Sequence, residues 1–255
     1  MVEIKTPGEI QAMRAAGRVV AKCLAATREH AAVGITLKEL DEIAHEVIRQ
    51  AGATSPFLNY KPAFASVPFP AVICASLNDE ALHGIPDSRR LADGDLLGID
   101  CGATLDGWTG DAAISFSVGE PRPEDTRLIE TAQAALKAGI TQAVPGNRIG
   151  DISAAIGRIG RAGGYGINTD FGGHGVGHTM HEDPSVPNEG RPGRGMKLRV
   201  GVVIAIEPWF MAGGKDGYYI ADDGWTVCTA DRSRAVHVEH TVAVTENGPV
   251  ILTAR

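Results

Sequence analysis

The sequence predicts a mixed α/β domain made of two similar halves, and three observations carry that reading. A helix–turn–helix pattern occurs twice: Gly34, Leu37, Leu40 and Val47 recur as Gly146, Ile149, Ile152 and Ile159, each 112 positions later. After each helix pair come short β-branched segments bounded by Gly, Pro, Asn or Asp. Acidic residues and a histidine interrupt those segments, whereas the helical stripes stay apolar.

Taken in order, the first helix starts at Thr6-Pro7-Gly8-Glu9, with Thr6 as N-cap, Pro7 at the first helical position and Glu9 closing a capping box. Ile10, Met13, Gly17, Val20 and Leu24 then share one stripe. The second helix follows the Val33-Gly34 turn; Thr36 caps it, Glu39 completes the box, and Leu40, Ile43, Val47 and Ile48 form its buried face before Gly52 stops it. In the second copy Pro123-Glu124 opens a helix and Pro145-Gly146 makes the turn. Ile149, Ile152, Ile156 and Ile159 form the next stripe before Gly163-Gly164. Strands are expected in AVICAS, DLLGIDCGATLD and GDAAISFSV of the first half. The second half offers VVIAIEPWF, DGWTVCTA, AVHVEHTVAV and VILTA. No Ser/Pro-rich linker divides the copies, so the expectation is one fused domain over 1–255, with halves of about 1–120 and 121–255.

Composition narrows the function classes. The 255 residues are 44% hydrophobic and 22% charged, ordinary for a globular protein, and the net charge of -7 argues against nucleic-acid specificity. Ser88-Arg89-Arg90 and the scatter at Arg191, Arg194 and Arg199 read as solvated loops; they are the candidates for any docking on an RNA-containing machine. Cys23, Cys74, Cys101 and Cys228 form neither a CxxC nor a disulfide framework, which points to a reducing cytoplasm. The N-terminus has no signal-type apolar stretch, and no run of about 18 apolar residues suggests a membrane span.

The chemistry lies in Asp100, Asp111, His174, Glu207 and Glu239, each inside an apolar or glycine-rich run. An ionised carboxylate there is costly unless it is paired or binds a metal. The four carboxylate charges balance two divalent cations, so a two-metal hydrolase leads. A hairpin closing at Leu105-Asp106-Gly107 would bring Asp100 and Asp111 to one side of a sheet; taken alone, turn capping accounts for Asp100 equally well. His174 sits in GGHGVGH, where the glycines argue against a helix and leave His178 non-ligating. Glu207 has no Lys or Arg within seven residues, while His237 and His240 are possible partners for Glu239. His83 and His181 are polar loop histidines, each with a plain reading as a surface or satisfied histidine beside one in proton transfer. Cys101, inside an apolar strand, reads as an inert buried thiol. There is no GxSxG, GxxxxGK[ST] or HExxH motif.

The segments KTPGEIQAMRAAGR, SLNDEALHGIPD, DLLGIDCGATLDGWTGDAA, GGHGVGHTMHEDP, VVIAIEPW, DGWTVCTADRS and EHTVAVTENGP, in this order, resemble the type I methionine aminopeptidases over essentially the whole chain. The resemblance implies the pita-bread α/β fold, with pseudo-twofold halves, strands lining a central dinuclear site and helices outside. It implies removal of the initiator methionine from nascent chains whose second residue is small and uncharged, by a protein that is a monomer. It places Asp111 and Glu239 as bridging ligands, Asp100 on one metal, and His174 with Glu207 on the other; the metals are Co, Mn, Fe or Zn. Glu207 is implied as proton shuttle, and His83 and His181 as substrate contacts. Phe69, Cys74, Met180 and Trp225 are implied for the methionine pocket, Met180 standing where Phe is more common. Extra prolines in SPFLNYKPAFASVPFPA leave the pocket wall over 56–70 open, and neither the type II insertion nor an N-terminal extension is expected. Two other readings remain: a related Xaa-Pro aminopeptidase or dipeptidase, and a non-catalytic binding protein on the same scaffold.

Overall fold

Both helices of the first half begin on the expected capping boxes. In the computed structural model, which describes residues 2–63 and 65–254, the Glu9 N–H donates to Thr6 Oγ1 at 3.4 Å and the Thr6 N–H to Glu9 Oε2 at 2.6 Å. These bonds start α1 (Pro7–His30). The Thr36/Glu39 box repeats the arrangement at 3.1 and 2.8 Å for α2 (Leu37–Gln50), and Gly52 follows its end at φ 70°. Four strands come next: β1 (Ile73–Leu77), β2 (Glu80–Leu82), β3 (Leu96–Leu105) and β4 (Trp108–Ser117). The second helix pair is α3 (Pro123–Gln142) and α4 (Ile149–Ala162); neither Arg122 nor Arg148 caps with its side chain. The remaining strands are β5 (Gly173–Gly175), β6 (Glu182–Val186), β7 (Val203–Ile206), β8 (Trp209–Met211), β9 (Tyr218–Ile220), β10 (Val227–Thr229), β11 (Ala235–His237), β12 (His240–Thr245) and β13 (Gly248–Ile251).

Each helix pair covers its own sheet. Val20 and Leu24 of α1 with Leu37 and Leu40 of α2 pack on Ile73, Ile99 and Ala112 of the antiparallel sheet β1-β3-β4. Leu128 and Leu136 of α3 with Ile152 and Ile156 of α4 pack on Ile204, Ile206 and Val242 of the sheet β13-β12-β7-β5-β6. The stripes read from the sequence are buried faces, although Ile10 and Met13 of α1 pack instead with Val203, Ala205 and Ala243 of the second sheet, and Ile43, Val47 and Ile159 are only half-buried. The result is a mixed α/β fold with the polar faces of the strands turned inward between the two helical layers.

Two departures from the expected strands concern the site. The GGHGVGH stretch contributes β5, which its glycines had hidden from a propensity argument. Those glycines are required by proximity: a Cβ on Gly173 would lie 2.3 Å from Ala205 O, and one on Gly175 2.1 Å from Asp183 O. The apolar run through Glu207 and the one through Glu239 are each split in two. β7 ends at Ile206 and β8 starts at Trp209, while β11 ends at His237 and β12 starts at His240.

The helix–sheet contact is closest at Gly17. A Cβ there would lie 2.3 Å from Leu252 O, and one on Gly110 of β4 would lie 2.9 Å from the Gly17 backbone. Since both obstacles are backbone, neither can rotate away. Gly17→Ala is expected to cost about 1–3 kcal/mol of stability through overpacking, read as a lower denaturant midpoint at unchanged slope; an unchanged midpoint would show that α1 can lift off freely.

Candidate metal centre

Asp100 and Asp111 reach the interior through a tight hairpin. Asp106 (φ 49°) and Gly107 (φ 80°) form the two-residue turn, a conformation suited to Asp-Gly, and fix the β3–β4 register. Gly102 faces Asp111 and Asp100 faces Ala113, so both carboxylates stand on one face, diagonal neighbours across the ladder.

Glu207 and Glu239 come from the split ribbon. The pair β7/β12 ends at Ile206 opposite His240, and the pair β8/β11 resumes at Trp209 opposite His237. Pro208 lacks an N–H and cannot continue a ladder. Both chains therefore break side by side, and each break presents a glutamate. The break is bridged by the Val238 N–H to Pro208 O at 3.1 Å, and the Glu207 carbonyl accepts from Asn188 Nδ2 at 3.1 Å.

Hydroxyl groups, with one main-chain bond, stitch β4 to this ribbon. Thr241 Oγ1 accepts from the Asp111 N–H at 2.9 Å and donates to the Asp111 carbonyl at 2.7 Å. Ser115 Oγ does the same for the N–H (3.0 Å) and carbonyl (2.8 Å) of His237, and the Glu239 N–H donates to Ala113 O at 3.0 Å. The backbone on both sides of the seam is thereby fixed.

All five residues line one cavity of about 340 Å³. Asp111, His174 and Glu239 offer ligand atoms within 4.8 Å of one another. His174 Nε2 lies 3.4 Å from Glu207 Oε1 and 3.9 Å from Asp111 Oδ2. Its Nδ1 is 3.0 Å from the Gly175 carbonyl; an Nδ1–H donating there leaves the Nε2 lone pair facing the acids. Asp100 Oδ1, Asp111 Oδ1 and Glu239 Oε1 are buried without a hydrogen-bond partner. A cluster of oxygen donors with orphaned lone pairs fits a hard or borderline divalent cation.

The electrostatics agree. Burial first, then the Asp100 and Glu207 charges, hold the Asp111 carboxyl well above the usual carboxylate range. Burial, with Asp111 and Glu207, does the same to Glu239. Asp100 is raised to about 7 by burial, opposed by His237. Glu207 is the exception: burial pushes it up, but His237 and His174 outweigh that and keep it low. Cations would resolve the repulsion that the other three express.

The other residues singled out from the sequence line the same cavity: His83, His181, Phe69, Cys74, Met180 and Trp225. His83 adopts φ 57°, a left-handed conformation uncommon outside glycine, and its ring meets Phe171 and Trp225 edge-on at 5.3 and 6.2 Å. Burial pushes its imidazole down to about 4. His181 stands at the solvent edge, 4.3 Å ring to ring from His174, with Nδ1 2.9 Å from the Tyr60 hydroxyl; burial and His174 lower its pKa. Its loop is held from below by Lys5, a buried lysine whose Nζ is 3.1 Å from Glu182, which in turn accepts from the Thr179 N–H.

Phe69, Cys74, Met180 and Trp225 form one apolar cluster with Phe57, Ala65 and Ala71. The proline-rich 56–70 stretch closes on itself through Phe69 N–H to Tyr60 O and Asn59 N–H to Phe69 O, both 2.8 Å, which brings Phe57 and Tyr60 into the wall; Phe64 lies outside the described residues. Phe57, Tyr60, Phe171 and His237 were not assigned to the cavity from the sequence. His237 alone carried a signal, as a polar residue inside an apolar strand, and it faces Glu207 (3.3 Å) more closely than Glu239 (4.0 Å). His240 turns away and bonds Thr253 Oγ1 at 2.8 Å. His178 is likewise outside the cluster, stacked on Trp108 at 3.9 Å.

Comparison with known proteins places this arrangement. The pattern of metallopeptidase family M24 matches residues 11–246. Methionine aminopeptidase 1 of Mycobacterium tuberculosis is 51% identical, over 99% of this chain and 95% of that one. Methionine aminopeptidase 1 of Bacillus subtilis is 42% identical over 99% of both. The crystal structure of methionine aminopeptidase from Thermotoga maritima superposes with a TM-score of 0.94 at 36% identity, covering 100% of both chains. The prolidase from Pyrococcus furiosus reaches 0.77 at 26% identity, and 65% of its length is matched. With the fold, the acidic cluster and full-length likeness in agreement, the chain belongs to metallopeptidase family M24, with the methionine aminopeptidases among its members, and is a pita-bread hydrolase that uses divalent metal.

Proposed function

We propose that this chain removes the N-terminal methionine from nascent polypeptides whose second residue is small and uncharged. The observation that carries the reading is that one cavity joins the acidic cluster to an apolar recess walled by Phe57, Phe69, Cys74, Met180 and Trp225. Aromatic rings and two sulfur-bearing side chains suit a flexible thioether. In this reading residues 1–255 act as one catalytic domain with halves of about 1–120 and 121–255, and the protein works as a monomer in the cytoplasm, where four unpaired cysteines are at ease. Any ribosome contact is transient, and none of the described helices is long and apolar enough to cross a membrane.

Asp100, Asp111, His174, Glu207 and Glu239 would hold two divalent ions, drawn from Co, Mn, Fe and Zn. Such ions act as Lewis acids on a carbonyl and lower the pKa of water toward about 7. Glu207, whose ionised form is favoured by the facing His237 imidazole, accepts the proton from the attacking water and returns it to the leaving amine. His83 and His181, both disposed to the neutral form, hydrogen-bond the carbonyl oxygen and the scissile amide as the carbon becomes tetrahedral.

Three outcomes test this reading. Met-Ala-Ser should be cleaved while a Met-Lys peptide and Xaa-Pro peptides are left intact; cleavage confined to Xaa-Pro substrates would replace the assignment with the related dipeptidase activity. Glu207→Gln, assayed at saturating metal, should lower kcat by at least ~10²-fold, the scale of a lost general base, and near-normal turnover would remove Glu207 from the proton path. His83→Ala should lower kcat by about 10–100-fold, the value of one hydrogen bond to a developing charge. A raised KM at constant kcat would instead mark a ground-state contact.

A further inference from the structure

His237 is neither a metal ligand nor a substrate contact in the reading above, yet its place is as constrained as that of any ligand. Ser115 Oγ bonds both its N–H and its carbonyl, and β11 pairs it with Trp209. His237 is 5% exposed and its ring points away from the apolar core into the acidic cluster. Nε2 is buried with no well-aligned hydrogen-bond partner, and lies 3.3 Å from Glu207 Oε2 and 4.0 Å from Glu239 Oε2. The opposite oxygen, Glu207 Oε1, faces His174 Nε2 at 3.4 Å. One imidazole thus stands at each oxygen of the same carboxylate.

The two rings are not equivalent. His174 turns Nδ1 toward the Gly175 carbonyl, so its Nε2 presents a lone pair. Facing a carboxylate, the Nε2 of His237 is placed to present an N–H. A carboxylate bonded by a fixed donor keeps the orientation in which its remaining lone pairs meet a cation, and the loss of such a donor typically weakens metal binding by 10–100-fold.

We infer that His237 is the positioning residue for Glu207: its Nε2–H holds the Glu207 carboxylate in the orientation that binds metal. The inference rests on the reading of Glu207 as a metal ligand. It predicts that metal affinity depends on a donor at position 237 and not on an imidazole there.

The test is calorimetric titration of the metal-stripped full-length chain with Co²⁺. His237→Leu should bind about 10–100-fold more weakly than wild type. His237→Gln, which keeps an N–H donor, should stay within about threefold of wild type, a rescue that a purely space-filling role would not produce. His237→Phe, closer in shape to imidazole, should match the leucine variant and guards against a folding defect, with the thermal midpoint of each metal-free variant as control. Wild-type affinity in the leucine and phenylalanine variants, or a glutamine variant as weak as leucine, would overturn the inference while leaving the metal reading intact. A wild-type chain that takes up no Co²⁺ would overturn both.

Discussion

Like charge held out of water is the constraint that organises this molecule. Four carboxylates, those of Asp100, Asp111, Glu207 and Glu239, crowd the floor of one cavity, and at about 4 Å two such charges repel by roughly 4 kcal/mol at the effective dielectric of a protein interior. A flexible scaffold would let them swing apart toward solvent. Here they cannot, because every backbone carrying an acid is fixed by a separate device. A tight Asp-Gly turn sets the Asp100/Asp111 register; a paired strand break presents Glu207 and Glu239; Thr241 and Ser115 lock β4 to that break. The repulsion persists as raised carboxyl pKa values in Asp111 and Glu239, which is the state a cation relieves.

The rest of the cavity divides the chemistry spatially. On one side, rings and sulfur atoms make a dry recess; on the other, oxygens and imidazoles make a charged floor. His83 and His181 stand between, both biased toward the neutral form. A neutral imidazole can donate to a carbonyl without adding charge beside a cation. The strained backbone at His83 and the half-buried Lys5–Glu182 pair beneath the His181 loop show that both rings are held by structure.

Legibility from the sequence followed the range of the interaction. Capping boxes at Thr6 and Thr36 act over three residues and were readable outright, as was the Asp106-Gly107 turn. The five acidic and imidazole positions were readable because burying an ion in an apolar run is anomalous in itself. β5 was not, since Gly173 and Gly175 are dictated by the closeness of Ala205 and Asp183, contacts a one-dimensional pattern does not contain. The strand breaks at Glu207-Pro208 and Val238-Glu239 were half-readable: Pro208 marked one, and only pairing reveals the other. Phe57 and Tyr60 reach the cavity through a loop that closes on itself, and His237 meets Glu207 from 30 positions away (237 − 207).

The seam between β4 and the split ribbon also sets when the site comes into being. Asp111 is locked by Thr241, and Ser115 by His237, across separations of 130 and 122 residues. A chain emerging from its N-terminus therefore carries Asp100 and Asp111 for most of its synthesis without the partners that make them a cluster. The complete cluster arises only after Thr241 has emerged, when long-range pairing closes. An unfinished copy of this hydrolase thus has no assembled centre with which to act on its neighbours.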